Sequence, residues 1–418
     1  MIEVNARLLR SVVYVAGDCV DCLVTFKNTA TESNHEQNRN CLKKSSAIEN
    51  LAWASAQIHC HCAVDEAKVL FPKSPSQEQI ATGSTDTSFI PCRGEKGHVV
   101  FSSKPKILFC DLCLMPGESK TFVYKEMIPT SVPPSYKGQA VRYAYKITIG
   151  AQKVNALTKL LRIPIKVFVV KGNQLNRNLC AVTSWNSCAT YELFPCISAD
   201  LTEVLKRRLA KSVPHNPFLP QASKQSVLEI AFDYLEDLTS RRRPNYYNIT
   251  HQNGKVVRFC LLKSSFRLGE DIVGTFDFAE ATIPCVQYSV TLQSEEEVLG
   301  ESSANGESRV TTLGYCKQHE FCLHLRTTHL ALPVPVHITP SFRSDIVELR
   351  WKLHFEFVVT TTPVPLPAAR TPSGNWHAPE LLEVQTMVWD LPISLYPTHP
   401  SHVANAIKAP SQGTLYLC

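Results

Sequence analysis

The sequence predicts an all-β protein made of two tandem antiparallel β-sandwiches with a partly helical connector. Three observations support this fold class: long alternating stretches, an internal repeat, and 27 prolines against 16 glycines in 418 residues. Alternation places apolar side chains on one face of a strand and polar side chains on the other. The length is sufficient for two or three domains of ordinary size.

The clearest strand signal lies in residues 349–357, LRWKLHFEF, where apolar and polar residues alternate without a break. Its apolar positions are Leu349, Trp351, Leu353, Phe355 and Phe357, and its polar positions are Arg350, Lys352, His354 and Glu356. The pattern predicts a strand with one face in a core and the other toward solvent.

A similar stretch occurs earlier in the chain and indicates a duplication. Residues 128–136, IPTSVPPSY, align with residues 334–342, VPVHITPSF, at a spacing of 206 residues. The same spacing places residues 145–147, YKI, over residues 351–353, WKL. A gap-free match of this length indicates duplicated domains rather than short solenoid units.

Two further matched pairs follow in the same order along the chain. They are residues 14–26 with 266–278 and residues 161–169 with 389–397. The first pair places Gly17 over Gly269 at a predicted turn, and the second places Pro164 over Pro392. A proline within an alternating strand belongs at a sheet edge or a bulge. The spacings differ, so loops of different length separate the matched strands.

The repeat sets the predicted domain limits. They are an N-terminal sandwich in residues 1–172, a connector in 173–245, a C-terminal sandwich in 246–398 and a disordered tail in 399–418. Within the second sandwich, the polar residues 295–314 are predicted to form a loop.

The connector contains two stretches with helical character, residues 199–212 and residues 226–244. In the second, the apolar residues recur at the spacing of one helix face. They include Leu228, Phe232, Leu235 and Leu238, which we predict to form a partner-binding stripe. The stretch ends at Pro244, which cannot continue a helix.

Each of these two stretches contains a basic run. The runs consist of Lys206, Arg207 and Arg208 in the first and Arg241, Arg242 and Arg243 in the second. We predict that they contact a membrane or an acidic partner, and a solvated helix face is the alternative interpretation.

Composition narrows the class of protein further. The 43 basic and 37 acidic residues leave a net charge of +6, which is a weak bias and does not indicate a nucleic-acid-binding protein. No stretch reaches 18 uncharged apolar residues, so no membrane span is expected. We also expect no secretory signal, and therefore a cytosolic chain whose 16 cysteines are free thiols.

The sequence contains no convincing catalytic or metal-binding motif. The candidates for metal ligands are the pairs Cys19 and Cys22, Cys110 and Cys113, and His59 and His61. Residues three apart on a strand point to opposite faces, so we expect neither cysteine pair to bind zinc, and two histidines alone make a poor site. Nucleophile elbows, phosphate loops and dinucleotide fingerprints are missing. We therefore expect no enzyme activity and no cofactor.

The motifs together resemble a known family. They are LAWASAQIHC (51–60), PKILFCDL (105–112), PGESK (116–120), PPSYKGQAVRYAYKITIG (133–150), YNI (247–249), FRLGEDIVGTF (266–276) and LRWKLHFEFV (349–358). In this order they are similar to the Rgp-one (Rgp1) family of the arrestin-like superfamily, whose immunoglobulin-like sandwiches fit the repeat. The resemblance covers the chain except its polar loops, the first part of the connector and the tail.

The resemblance implies a function that the residues alone do not. Family members pair with a larger, propeller-bearing subunit, Ric-one, to form a guanine-nucleotide exchange factor for a Golgi Rab GTPase of the Rab-six type. The complex serves retrograde and endosome-to-Golgi traffic, in the cytosol and peripherally on the Golgi membrane. Nucleotide exchange needs a surface that holds the switch segments of the GTPase and needs no nucleophile. An arrestin-type cargo or coat adaptor, which binds sorting peptides by strand addition, is the alternative.

Overall fold

The computed structural model describes most of the chain. The described residues are 1–30, 48–69, 89–95, 97–170, 232–233, 235–236, 239–240, 243–252, 254–299, 309–362, 381–407 and 410–417. They form two compact units and consist almost entirely of β-strands, which confirms the all-β class. The predicted limits of the connector fall mainly on residues outside these ranges and stay a prediction.

The strands follow one another through both units. The first ten are β1 (Ile2–Leu8), β2 (Val13–Val15), β3 (Cys19–Asn28), β4 (Glu49–Val64), β5 (His98–Ser102), β6 (Lys106–Leu114), β7 (Ser119–Met127), β8 (Tyr136–Lys137), β9 (Val141–Lys153) and β10 (Lys159–Phe168). The next ten are β11 (Asn245–His251), β12 (Gly254–Leu261), β13 (Ser265–Arg267), β14 (Asp271–Asp277), β15 (Cys285–Val298), β16 (Arg309–Phe321), β17 (Thr327–Pro333), β18 (Phe342–Arg343), β19 (Val347–Thr360) and β20 (Val384–Tyr396). Helix α1 (Pro400–Ile407) and strand β21 (Gln412–Leu417) complete the chain.

Each unit contains a small and a large sheet. In the N-terminal unit the strand orders are β21-β1-β3-β7 and β2-β10-β9-β4-β5, with β6 also on β4 and β8 on β9. In the C-terminal unit they are β11-β12-β14-β17 and β13-β20-β19-β15-β16, with β18 on β19. The two units therefore have the same order of strands in their sheets, with β9 and β19 in equivalent places, as a duplication predicts.

Aromatic side chains join the two sheets within each unit. Phe26 on β3 meets Phe109 on β6 edge-to-face with ring centroids 4.9 Å apart. Phe259 on β12 meets Phe355 on β19 at 5.0 Å. Such edge-to-face contacts are favourable beyond the area they bury. Each pair of sheets is therefore a sandwich with its core between the sheets.

Strand β19 shows the predicted alternation. Its five apolar residues from Leu349 to Phe357 are each at most 2% exposed, whereas Arg350 between them is exposed. Burying five such side chains contributes roughly 10 kcal/mol to the gross stability, at about 2 kcal/mol each.

The backbone registers reproduce the sequence repeat. Tyr136 pairs with Tyr143 between β8 and β9, and Phe342 pairs with Leu349 between β18 and β19. Both partners are shifted by the same 206 residues, so the gap-free sequence match is also a match of hydrogen-bonded ladders.

Short parallel pairs are an addition to the antiparallel prediction. Val13 pairs with Lys166 between β2 and β10, and Ser265 pairs with Ser394 between β13 and β20. Both pairings are three residues long and occupy equivalent places in the two units. Through them, β10 joins β2 and β20 joins β13, and each short strand comes just before the glycine turn that the two halves share.

That turn is built on the two glycines aligned by the repeat. Gly17 and Gly269 adopt φ values of +99° and +85°, a conformation that side chains with a Cβ rarely adopt. Their amides donate to the carbonyl oxygens of Ile128 at 2.7 Å and Val334 at 3.0 Å. The predicted turn is therefore present twice, with the same long-range contact.

The prediction of a disordered tail is wrong. Residues 399–418 contain α1 and β21, and β21 pairs with β1 over six positions, from Ile2 with Leu417 to Arg7 with Gln412. Val403 and Leu417 are buried, so apolar side chains anchor this segment although its sequence shows little periodicity.

The predicted loop at residues 295–314 is also wrong at both ends, because β15 runs to Val298 and β16 begins at Arg309. The acidic run favours a loop, but Glu295 and Glu297 occupy the outer face of β15. There Glu295 pairs with Lys352 and Glu297 pairs with Arg350. In the described ranges, no helix is long and apolar enough to cross a membrane.

Candidate interaction surfaces

The connector helix is part of the C-terminal unit. Its described residues are Phe232, Asp233, Leu235, Glu236, Thr239 and Ser240, and all six are helical. The hydroxyl of Thr239 donates to the carbonyl oxygen of Leu235 at 2.7 Å, which joins positions one helical turn apart. The partly helical connector is thus confirmed for these residues.

The predicted apolar stripe is covered by the chain itself at its two described positions. Phe232 is 7% and Leu235 is 4% exposed. A partner that bound these side chains directly would therefore have to displace contacts within this chain. Leu228 and Leu238 lie outside the described residues, and partner binding by the stripe stays a prediction.

Charged residues before β14 hold the end of the connector helix. Lys263 Nζ donates to the carbonyl oxygen of Thr239 at 2.8 Å and to Glu270 at 2.7 Å. Arg267 contacts Glu270 at 2.8 Å and Glu236 at 3.3 Å. Burial alone would raise the pKa of Glu270, but the hydrogen bonds from Lys263 and Arg267 outweigh it and lower that pKa. The helix end is therefore tied to the sandwich by ionised groups.

The predicted basic contacts are described at one position only. Arg243 is exposed two residues before β11. The other members, Lys206, Arg207, Arg208, Arg241 and Arg242, lie outside the described residues. Their contact with a membrane or an acidic partner stays a prediction.

A partly buried charge cluster lies on the outer face of the large sheet in the N-terminal unit. We call it the Glu95 cluster, and its members are Glu95, His59, His61, Lys146 and Arg162. Lys146 on β9 donates a hydrogen bond to the Glu95 carboxylate, and Arg162 Nε on β10 lies 3.3 Å from it. On β4, His59 Nε2 is 3.6 Å and His61 Nδ1 is 3.9 Å from Glu95 Oε2. One carboxylate thus connects three neighbouring strands.

The loop of residues 89–95 carries Glu95 and covers this face. Arg162 donates to the carbonyl oxygen of Pro91 from Nε at 3.2 Å and from a terminal nitrogen at 2.9 Å. The ring of Phe89 lies directly on Gly150 of β9, where a Cβ would overlap with it. Arg162 and Phe89 therefore hold the loop at two points on the sheet.

Burial decides which members of the cluster are charged. His59 is fully buried, and burial lowers its pKa to about 4 although Glu95 opposes the shift. Neither ring nitrogen of His59 has a hydrogen-bond partner within the described part of the chain. Burial would raise the pKa of Glu95, but the hydrogen bond from Lys146 and the charge of Arg162 outweigh it and lower that pKa. At neutral pH the cluster therefore combines a carboxylate and two cations with a neutral His59.

The equivalent face of the C-terminal unit carries a row of ion pairs. We call it the charge ladder, and its members are Glu295, Glu297, Lys317, Arg350, Lys352, His354, Glu356 and Asp390. Lys352 lies 2.7 Å from both Glu295 and Asp390, and His354 Nδ1 lies 2.6 Å from Asp390. Burial would raise the pKa of Asp390, but hydrogen bonds with Lys352 and His354 outweigh it and lower the pKa. The ion pairs of the charge ladder connect the neighbouring strands β15, β16, β19 and β20. No loop among the described residues covers them.

The cysteine pairs differ from expectation at one site. Cys22 is buried and Cys19 is half-buried, as expected for positions three apart on a strand. Cys110 and Cys113 are both exposed. The expectation of opposite faces is wrong there, because Asp111 adopts a left-handed φ of +57° and shifts the alternation of β6 by one residue.

None of these groups forms a metal site in the described ranges, where no set of three His, Cys, Asp or Glu side chains is placed to hold an ion. His59 and His61 do share a carboxylate with each other, which sequence reasoning did not anticipate. Lys146 and Arg162 neutralise that same carboxylate, and their charges oppose a cation at this position.

Sequence reasoning missed the Glu95 cluster. The motif RGEKG at residues 93–97 indicates a tight turn, and nothing in it identifies Lys146, 51 residues away, as a partner of Glu95. The available signal was the polar side chains of His59 and His61 between buried residues of β4, which require a partner when they are buried.

The fold and these surfaces define an all-β protein of two duplicated sandwiches. A model of the Rgp1 family matches residues 43–183 and 203–360, which is more than half of the chain. RAB6A-GEF complex partner protein 2 of Homo sapiens is 40% identical over 430 aligned positions, covering 99% of this chain and 100% of that protein. The protein of the same name from Bos taurus is 40% identical and covers 96% of this chain and 95% of its own length. The chain belongs to the Rgp1 family, which confirms the resemblance found in the sequence.

Proposed function

We propose that this chain is a subunit of a two-subunit guanine-nucleotide exchange factor that activates a Golgi Rab GTPase of the Rab6 type. The observation that carries this proposal is the 40% identity, over nearly the whole length, to proteins named RAB6A-GEF complex partner protein 2. The sequence resemblance implies that the second subunit is a larger, propeller-bearing protein of the Ric-one type.

The chemistry of exchange fits a chain of this kind. Exchange factors act by holding the switch segments of a GTPase where they no longer grip phosphate and magnesium, so they act through protein surfaces. Within the Glu95 cluster, Lys146 pairs with Glu95, and within the charge ladder, Lys352 pairs with Glu295. Their pairing supports a role in folding and binding rather than in chemistry, and we assign the chain no catalytic residue.

The proposal includes a place of action. The complex works in retrograde and endosome-to-Golgi traffic, from the cytosol and peripherally on the Golgi membrane. The arrestin-like sandwiches provide the scaffold, and the basic residues around the connector, of which Arg243 is exposed, contact the acidic membrane surface or an acidic partner. The connector helix contributes to the interface with the larger subunit, and Phe232 and Leu235 take part in it only after release from the contacts within this chain that cover them.

Release of a fluorescent guanine nucleotide from Rab6 tests this proposal. We expect acceleration by this chain together with the larger subunit and little by either alone. A Rab GTPase of another organelle serves as the control and should release its nucleotide at the intrinsic rate. Equal activity of the larger subunit with and without this chain would contradict the proposal.

The adaptor function is the alternative to this proposal. An arrestin-type adaptor would bind isolated sorting peptides without the larger subunit, by strand addition at an open sheet edge. Titration of this chain alone with labelled sorting peptides of cargo proteins separates the two, because an exchange-factor subunit needs no affinity for sorting signals.

A further inference from the structure

The edges of the four sheets differ in how well they are protected. An edge strand presents unpaired backbone amides and carbonyls that can pair with another chain, and proteins usually block such edges. The short edge strands β2 and β13 are three residues long and offer little to pair with. The longer edges are those of β5 with β6, β7, β11, β16, β17 and β21.

Side chains close three of the longer edges. On β17, Gln318 donates to the carbonyl oxygen of His329 and accepts from the amide of Ala331, each at 2.9 Å. On β7, Lys106 donates to the carbonyl oxygen of Lys125 at 2.5 Å. On β21, a lysine of β10 donates to the carbonyl oxygen of Tyr416 at 3.1 Å. These contacts occupy backbone groups that an added strand would need.

Irregular backbone interrupts two more edges. In the N-terminal unit the edge beside β4 is split into β5 and β6 by Ser103, Lys104 and Pro105. In the C-terminal unit the register of β11 with β12 shifts between Ile249 and Thr250. Breaks, bulges and prolines are the usual means by which edges are made poor templates.

Strand β16 has none of these protections among the described residues. It takes the place in the C-terminal unit that β5 and β6 share in the N-terminal unit, but it continues for 13 residues. In the described part of the chain it pairs only with β15. Its large apolar side chains are exposed, with Val310 at 49%, Leu313 at 43% and Phe321 at 70%. A long, continuous and apolar edge is a site for strand addition.

The charges on β16 indicate what kind of segment would bind. Its exposed basic residues are Arg309, Lys317 and His319, and Lys317 also donates to Glu356 of the charge ladder at 2.9 Å. The one acidic residue of the strand, Glu320, accepts hydrogen bonds from Tyr288 at 2.9 Å and from Thr328. Arg309, Leu313, Lys317, His319 and Phe321 lie at odd positions of the strand and so share one face. The open edge is thus apolar and basic on this face, which favours an extended segment that carries apolar and acidic residues on the matching face.

We propose that the open edge of β16 is the strand-addition site at which an extended, acidic segment of the larger subunit joins the large sheet of the C-terminal unit. The identity of the occupant rests on the proposed function, because a subunit of an obligate complex needs a permanent interface. The added strand would cover Val310, Leu313 and Phe321 and complete the backbone pairing of β16.

Hydrogen exchange of the purified two-subunit complex tests this proposal. In the free chain, amides of β16 that point away from β15 should exchange quickly, and in the complex every second amide should be protected at least tenfold. Strands β7 and β17 should keep the same exchange rates in both states, because their edges are already closed.

Matched variants provide the second measurement. We expect Leu313→Asp to weaken assembly with the larger subunit about tenfold or more, a loss of about 1.4 kcal/mol. Val123→Asp is the control, because Val123 is 62% exposed on the edge strand β7 and should assemble as the wild type does. Both substitutions are at exposed positions, and exchange of the β19 amides reports whether the C-terminal unit remains folded.

The outcomes separate this inference from the proposed function. An active, assembled complex with unprotected β16 amides and normal assembly of Leu313→Asp would overturn the β16 site alone. Protection of β16 in the free chain that rises with its concentration would also overturn it and identify a second copy as the occupant. Failure of the wild-type chain to assemble with the larger subunit would overturn both.

Discussion

The two sandwiches present different outer faces on equivalent strands. Lys146 and Lys352 occupy matched positions on β9 and β19, but Lys146 lies beneath a covering loop and pairs with Glu95, whereas Lys352 pairs with Asp390 in the charge ladder. The matched position of Asp390 in the N-terminal unit is Arg162, so even the sign of the charge has changed. The duplication thus keeps the registers and cores, and the outer faces have diverged.

The sandwiches also differ in how the small sheet is completed. In the C-terminal unit, β11 directly precedes β12 and pairs with it as a hairpin, with Tyr247 opposite Phe259. In the N-terminal unit the matching place beside β1 is taken by β21, with Gly413 opposite Ala6. The N-terminal sandwich therefore depends on both ends of the chain, and the C-terminal sandwich does not.

Removal of β21 should give the largest effect. Deleting residues 410–418 should lower the free energy of unfolding of the N-terminal unit by about 4 kcal/mol, since it removes buried Leu417 and the ladder hydrogen bonds to β1. Hydrogen exchange of β9 amides reports this unit, and exchange of β19 amides reports the C-terminal unit, which should not change. A peptide with the sequence of residues 410–418 should restore protection to β1, and equal stability of both units after the deletion would contradict this account.

Removal of one charge should distinguish the covered face from the open face. Glu95→Gln keeps the shape of the side chain but leaves Lys146 and Arg162 without their buried counter-charge, so we expect a loss of about 3 kcal/mol in the N-terminal unit. Asp390→Asn is the matched change in the charge ladder and should cost less than about 1 kcal/mol in the C-terminal unit, because that pair is solvated. Hydrogen exchange of the β9 and β19 amides measures the two losses of stability. Equal losses would show that the covered face and the open face do not differ in how strongly they depend on a single carboxylate.

Acid should weaken the N-terminal unit first. The folded pKa of His59 is lowered to about 4, so the unfolded state binds more protons as the pH falls below about 6.5. The stability from neutral His59 is present above that pH and is lost on the way down, by about 2 kcal/mol between about pH 7 and about pH 5. The pKa of His61 is also lowered by burial and acts in the same direction.

The control for the acid effect is His59→Gln, which removes one titrating group from the covered face. The pH dependence of unfolding of the N-terminal unit should then become shallower by up to one proton. An unchanged slope in this variant would assign the acid sensitivity to other groups.

A small change beneath the covering loop should have the smallest effect. Gly150→Ala places a methyl group where the Phe89 ring lies, and we expect a loss of about 1 kcal/mol and faster exchange of amides in residues 89–95. The matched position in the C-terminal unit carries Glu356, whose carboxylate accepts from Ser289 at 2.7 Å. Glu356→Ala should leave residues 89–95 unaffected, and a loop that keeps its exchange rates in Gly150→Ala would show that Phe89 does not depend on Gly150.

Local pattern was enough to predict much of the fold. Alternation in residues 349–357 predicted the buried face of β19, and the aligned Gly17 and Gly269 predicted the two turns. Long-range pairing was not accessible in the same way. Residues 412–417, QGTLYL, form a segment of only six residues, and nothing in it indicates a strand that joins β1, about 400 residues earlier. The Glu95 cluster forms because the loop of residues 89–95 packs against β4, β9 and β10. No local sequence motif predicts that long-range contact.

The rate of nucleotide release from Rab6 with the larger subunit, measured with and without this chain, tests the proposed function most directly. We expect rapid release only when both subunits are present, at the same concentration of the larger subunit. A rate that does not depend on this chain would contradict its assignment as an exchange-factor subunit and would leave the adaptor function to be tested with free peptides.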